Sequence, residues 1–148
     1  MKTRILGTTL LLGLLVLAVA GCGAKAAGSS NSSNSSKTSG PTTVNITLTE
    51  FKITSSVTSF TVGTPYHFVV TNAGQTQHEL MVMPVAMGTA SENERDASKL
   101  LEVSELDPGQ SGTADFTFTT PAPAGTLEMA CHVTGHYESN MRLPIVVK

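Results

Sequence analysis

The chain of 148 residues has no tryptophan, only two cysteines and four histidines, and little excess of either charge: 9 Lys and Arg against 11 Asp and Glu, a net of −2. These shortages exclude function classes. Without a basic run there is no electrostatic footprint for nucleic acid. Without an acidic tail there is no charged arm to recruit a partner. No internal repeat is visible, and the length fits one modest domain. The two cysteines, Cys22 and Cys131, sit in very different surroundings.

A full membrane span is missing too. Lys2 and Arg4 precede "ILGTTLLLGLLVLAVAG", which is shorter than the roughly 20 residues a spanning helix needs and carries two threonines and two interior glycines. It reads as an export signal. Its end, "VAGC" at Val19 to Cys22, resembles the bacterial lipobox, which implies a cleaved signal peptide at 1–21 and an acylated Cys22. Cys131 is then left without a partner for an intrachain disulfide. From Gly23 to Thr43 a Ser/Asn/Gly tract offers nothing to bury, so 22–43 reads as acylated cysteine plus flexible tether. A tether of this type reaches about 25 Å, and two or more acyl chains hold it stably at the membrane. The expected location is extracytoplasmic and membrane-anchored, on the periplasmic or cell-surface side.

Residues 44–148 read as one all-β domain, large enough to bury a core without disulfides. "VNITLTEFKI" alternates Val44, Ile46 and Leu48 with polar residues and reads as one strand. "TSFTV", "PYHFVVTN", "HELMVMPV", "GTADFTFT", "TLEMACHV" and "LPIVVK" follow, separated by the turn signals "VGTP", "NAGQ", "DPGQSG" and "PAPAG". About seven to eight short strands at such intervals predict a two-sheet sandwich. The exception is "SENE", a capping box with Ser91 as N-cap and Glu94 at the third helical position. It predicts one short helix of about ten residues running to Leu101, burying Ala97, Leu100 and Leu101 as a flap between strands.

The chemistry gathers in "CHVTGHYESNM", residues 131–141. A strand ending at Cys131, a loop carrying His136 and a return at Met141 can bring a thiol, an imidazole and a thioether to one point. His78, at the start of "HELMVM", can add a second imidazole. Thiolate, two imidazoles and a distant thioether favour copper and let it cycle between Cu(I) and Cu(II) with little rearrangement.

His78 after an Asn-Ala-Gly turn, then Cys131, His136 and Met141 in a C-x4-H-x4-M loop before a terminal strand, resemble the cupredoxin family of small blue copper proteins. The loop is most similar to those of rusticyanin and plastocyanin-like members. The resemblance implies a Greek-key β-sandwich, one-electron transfer and one type 1 copper, with His78, Cys131 and His136 as equatorial ligands and Met141 as the weak axial one. It implies redox partner proteins, respiratory or oxidase, outside the cytoplasmic membrane; a monomer is expected. Two positions depart from the family's pattern. Glu79 stands where many members have Asn, and Asn140 where many have Gly; Asn is one of the few residues that adopts a left-handed conformation.

Other residues have plainer readings. His67 lies opposite Tyr66, Phe68 and Val70 on its strand and reads as structural. Strand alternation points His132 away from Cys131, toward solvent or toward an electron exit; a second copper centre there would need more histidines than four. Met81, Met83, Met87 and Met129 read as core packing, with a soft Cu(I) surface as the alternative. Two other function classes compete with electron transfer. One is copper binding and delivery through the same ligands. The other is a small enzyme, either a copper oxidoreductase or a cysteine hydrolase using Cys131 and His136. Catalytic metal sites keep an open position that Met141 would cover.

Overall fold

Alternating apolar residues build two facing sheets. The computed structural model describes residues 40–148, so the expected signal peptide, Cys22 and most of the tether lie outside the described residues. In β1, Thr42–Thr49, Val44, Ile46 and Leu48 are buried and their neighbours exposed. In β4, Pro65–Asn72, the same alternation buries Tyr66, Phe68 and Val70. Between them lie β2, Lys52–Ser55, and the two-residue β3, Ser59–Phe60. Then follow β5, His78–Pro84; β6, Leu101–Leu106; β7, Ser111–Thr117; β8, Ala122–Ala130; and β9, Arg142–Val147.

One sheet has the order β2-β1-β4-β7 and the other β3-β9-β8-β5-β6. The β1/β4 and β3/β9 pairs are parallel and the rest antiparallel. The all-β sandwich is as the sequence predicts, with nine strands among the described residues rather than seven or eight. Its core joins Val44, Leu48, Phe60, Phe68, Leu80, Val82, Met129 and Ile145 across the two sheets.

Four local expectations are corrected. "VNITLTEFKI" is a hairpin, not one strand: Thr49 pairs with Lys52, and Glu50 and Phe51 form the turn. Phe51 takes φ 56°, a left-handed conformation that a bulky residue rarely adopts. The helix, α1, is shorter, Glu92–Ser98, and buries none of its residues. Its capping box forms as expected, with the Ser91 N–H donating to Glu94 at 2.9 Å. Ala97 and Leu100 are exposed, while Leu101 is buried because it opens β6. That strand escapes a period-two reading because its register shifts by a bulge: His78 pairs with Leu106 but Leu80 with Val103. Finally, "PAPAG" is not a separate turn: from Ala122 onward it is the irregular first half of β8, with Gly125 at φ 83°.

The segment after β5 covers that strand's outer face. Six of its seven residues are buried, because Leu80 and Val82 face the main core while Met81 and Met83 pack with Ala130, Tyr137 and Met87 on the other side.

Candidate metal centre

The turn before β5 is knitted by Asn72, which is fully buried. Its side-chain amide donates to the Thr76 and Leu106 carbonyls, both at 2.8 Å, and its oxygen accepts the Gly74 N–H at 2.8 Å. This delivers His78, also fully buried, to one end of the sandwich. Cys131 arrives there as the residue following β8.

The loop between β8 and β9 closes on its own backbone. The Cys131 N–H donates to the Met141 carbonyl at 3.1 Å, and the Met141 N–H to the His136 carbonyl at 3.0 Å. Gly135 at φ 86° and Asn140 at φ 66° make the sharp bends, so Asn140 supplies the left-handed residue at its position.

Three donor atoms converge. His78 Nδ1 lies 3.2 Å from His136 Nδ1 and 3.9 Å from Cys131 Sγ, and His136 Nδ1 lies 3.4 Å from Sγ. The point equidistant from these three atoms lies about 2 Å from each, close to the bond lengths of about 2.0–2.1 Å for nitrogen and 2.3 Å for thiolate that a d-block ion makes. All three residues are buried, and their donor atoms lie close enough together to hold a metal ion. Soft thiolate with two imidazoles is a donor set that fits copper. Met141 is fully buried in the adjoining core and bonded through its backbone to both Cys131 and His136.

The surroundings keep the site dry and hold its parts. Burial pushes the Cys131 thiol above its ordinary range, against the pull of the Glu79 and Val133 N–H groups. Burial and the neighbouring His136 lower the affinity of His78 for protons. Both effects favour uncharged side chains until a cation binds. Glu79 links the segments that carry His78 and Cys131: its backbone N–H points at Cys131 Sγ at 3.5 Å, and its carboxylate accepts the His132 N–H at 2.9 Å. Burial raises the pKa of that carboxyl, the His132 N–H opposing.

His132 turns away from the triangle, as alternation predicts, and is half-buried rather than fully exposed. Its ring stacks on Tyr137 with centroids 4.6 Å apart, and Nε2 sits 3.1 Å from Met83 Sδ. Burial, with the Arg95 charge, lowers its pKa to about 4. Met81 and Met83 are buried in this outer cluster and Met129 in the main core, so these three form no exposed soft surface. His67 pairs with Asp115 at 2.6 Å, away from the site. A polar cavity of about 530 Å³ opens beside His132, walled by Glu79, Arg95, Lys99 and Glu102; the triangle does not line it.

Two residues beside the triangle are invisible to motif reading. Phe51, half exposed, presents its ring edge-on to His136 at 5.6 Å. Glu50 places Oε1 3.9 Å from His78 Nε2. The only signal for either in the sequence would be the hairpin itself, and its turn lacks the usual Gly or Asn.

No protein-family model matches the chain, and no curated protein does. Solved structures do. An auracyanin from Roseiflexus castenholzii, reduced with dithionite, superposes with a TM-score of 0.59 at 20% identity, over 74% of this chain and 99% of its own. Auracyanin A of Chloroflexus aurantiacus, described as a "blue" copper protein, gives 0.56 at 19%, over 74% of this chain and 100% of its own. An azurin from Methylomonas sp. strain J gives 0.52 at 11%, over 72% of this chain and 96% of its own. Residues 40–148 thus have the cupredoxin fold, with a His-Cys-His cluster where β5 and the β8–β9 loop meet.

Proposed function

We propose that the protein carries single electrons through one type 1 copper, held by His78, Cys131 and His136 with Met141 as a weak axial donor. The observation that carries this reading is the preformed triangle, whose centre lies about 2 Å from three buried donor atoms. Copper bound there would supply a one-electron couple. The chain's part is to hold the ligands. Cys131 and His136 are fixed by the loop's backbone bonds and His78 by the Asn72 turn, so little needs to move between oxidation states. Burial excludes water from the thiolate. The working location is outside the cytoplasmic membrane, tethered by acylated Cys22, with redox proteins as partners.

Adding Cu(II) to the full chain in detergent tests this. A strong thiolate-to-copper visible band and a reversible wave in voltammetry are expected, and Cys131→Ser should lose the band. A fully loaded chain without the band refutes the type 1 reading. Rapid surrender of copper to a chelator, with no reversible wave, points instead to delivery.

A further inference from the structure

The hairpin turn that the sequence hides touches both imidazoles. We propose that Glu50 and Phe51 position the metal centre: the Glu50 carboxylate takes the Nε2–H of His78, leaving the Nδ1 lone pair for the ion, and the Phe51 ring edge fixes His136. This rests on the metal reading above and adds to it the residues that orient the ligands.

Three independent features support it. His78 is fully buried, and its Nε2 has no hydrogen-bond partner, with Glu50 Oε1 3.9 Å away. A buried polar atom without a partner is costly, so a nearby acceptor is drawn to it. Ligating histidines commonly donate their second N–H to a carboxylate, which sets tautomer and ring orientation. With an ion held at Nδ1, the His78 Nε2–H would be a stronger donor, and the Glu50 carboxylate 3.9 Å away is the acceptor placed to take it.

Second, Glu50 is held in place for this. Its Oε1 accepts the N–H groups of Gln75 and, at 3.3 Å, Thr76, both in the turn that launches His78. Third, the space between the two side chains depends on a glycine. A Cβ at Gly74 would lie 2.7 Å from Glu50 Oε1 and 2.8 Å from His78 Nε2. The φ of Phe51 adds a further sign, since strained backbone persists where surrounding structure holds it in place. Here it aims the ring at His136.

Four variants of the full chain in detergent test the proposal: Glu50→Gln, Glu50→Ala, Gly74→Ala and Phe51→Gly. In the copper-free wild type, ¹⁵N NMR should find the His78 proton on Nε2. Glu50→Ala and Gly74→Ala should shift it toward Nδ1. With copper, both should speed metal loss to a chelator by about tenfold. Glu50→Gln keeps an acceptor but removes the charge. It should hold the tautomer while favouring the reduced state by about tenfold, which is 59 mV for a one-electron couple. Phe51→Gly, relaxed at positive φ, should keep the hairpin and broaden the spectrum of the His136 site. A proton on Nδ1 in the wild type, or an unchanged metal-loss rate and potential in both Glu50 variants, overturns the proposal. Because the NMR arm needs no copper, it stands even if the type 1 spectrum fails to appear.

Discussion

Tyr137, the residue after His136, ties the β8–β9 loop to the rest of the fold, and removing its hydroxyl tests that role. The phenol donates to Glu128 Oε1 at 2.7 Å and accepts from Arg142 Nη1 at 3.2 Å. Glu128 is 2% exposed, and among its described side-chain contacts this hydrogen bond stands alone. Tyr137→Phe keeps the stack on His132 and the contact with Arg142, whose guanidinium lies 5.4 Å from the ring centre. What it loses is the partner of a buried carboxyl group, worth about 2 kcal/mol. For a domain of this size that is about 10 °C in melting temperature. Thermal unfolding of the copper-free chain, followed by circular dichroism, reads it without a contribution from bound metal. Adding Glu128→Met to Tyr137→Phe should restore most of the loss, because replacing both partners with apolar groups removes the orphan. A Tyr137→Phe chain as stable as the wild type would refute the reasoning; so would a double variant weaker than the single one.

His136→Ala should abolish the visible band, whereas His132→Ala should leave it nearly unchanged and cost about 2 kcal/mol of stability through the lost stack; equal spectral damage from both would defeat the geometry described. Voltammetry of Met141 variants should rank potentials Leu above Met above Gln, since removing the thioether dries the site and an oxygen donor favours Cu(II). Identical potentials would place Met141 only in the core. Cys22→Ser should move the protein from the membrane fraction to a soluble form with its spectrum intact, and a variant that stays membrane-bound would contradict acylation.

What the sequence reveals follows from how locally each feature is encoded. The cluster of His78, Cys131 and His136 is legible because one short stretch carries the last two and because a turn signal and a strand start coincide at His78. The sandwich is legible in β1 and β4, where alternation is clean. It is obscured where a second layer covers a strand's outer face, as at Met81 and Met83, since burial on both sides removes the period. The β6 bulge places Val103 and Leu106 on one face three residues apart, which no two-residue pattern finds. The Glu50–Phe51 turn is held by tertiary contact rather than by turn chemistry, so its approach to both imidazoles is visible only in three dimensions.

The strand order has a consequence for biosynthesis. β1, the earliest described strand, lies between β2 and β4, and β9, the latest, lies between β3 and β8. The first sheet can grow in chain order, each new strand pairing with one already made, but the second stays divided until β9 joins β3 to β8. A nascent chain would expose the unpaired sides of β3 and β8 until β9 arrives, and those edges are where off-pathway pairing begins. Because the loop that carries His136 joins β8 to β9, the same event that closes the sheet draws Cys131 and His136 together. A metal ion held by these residues would therefore be acquired only once β9 has docked.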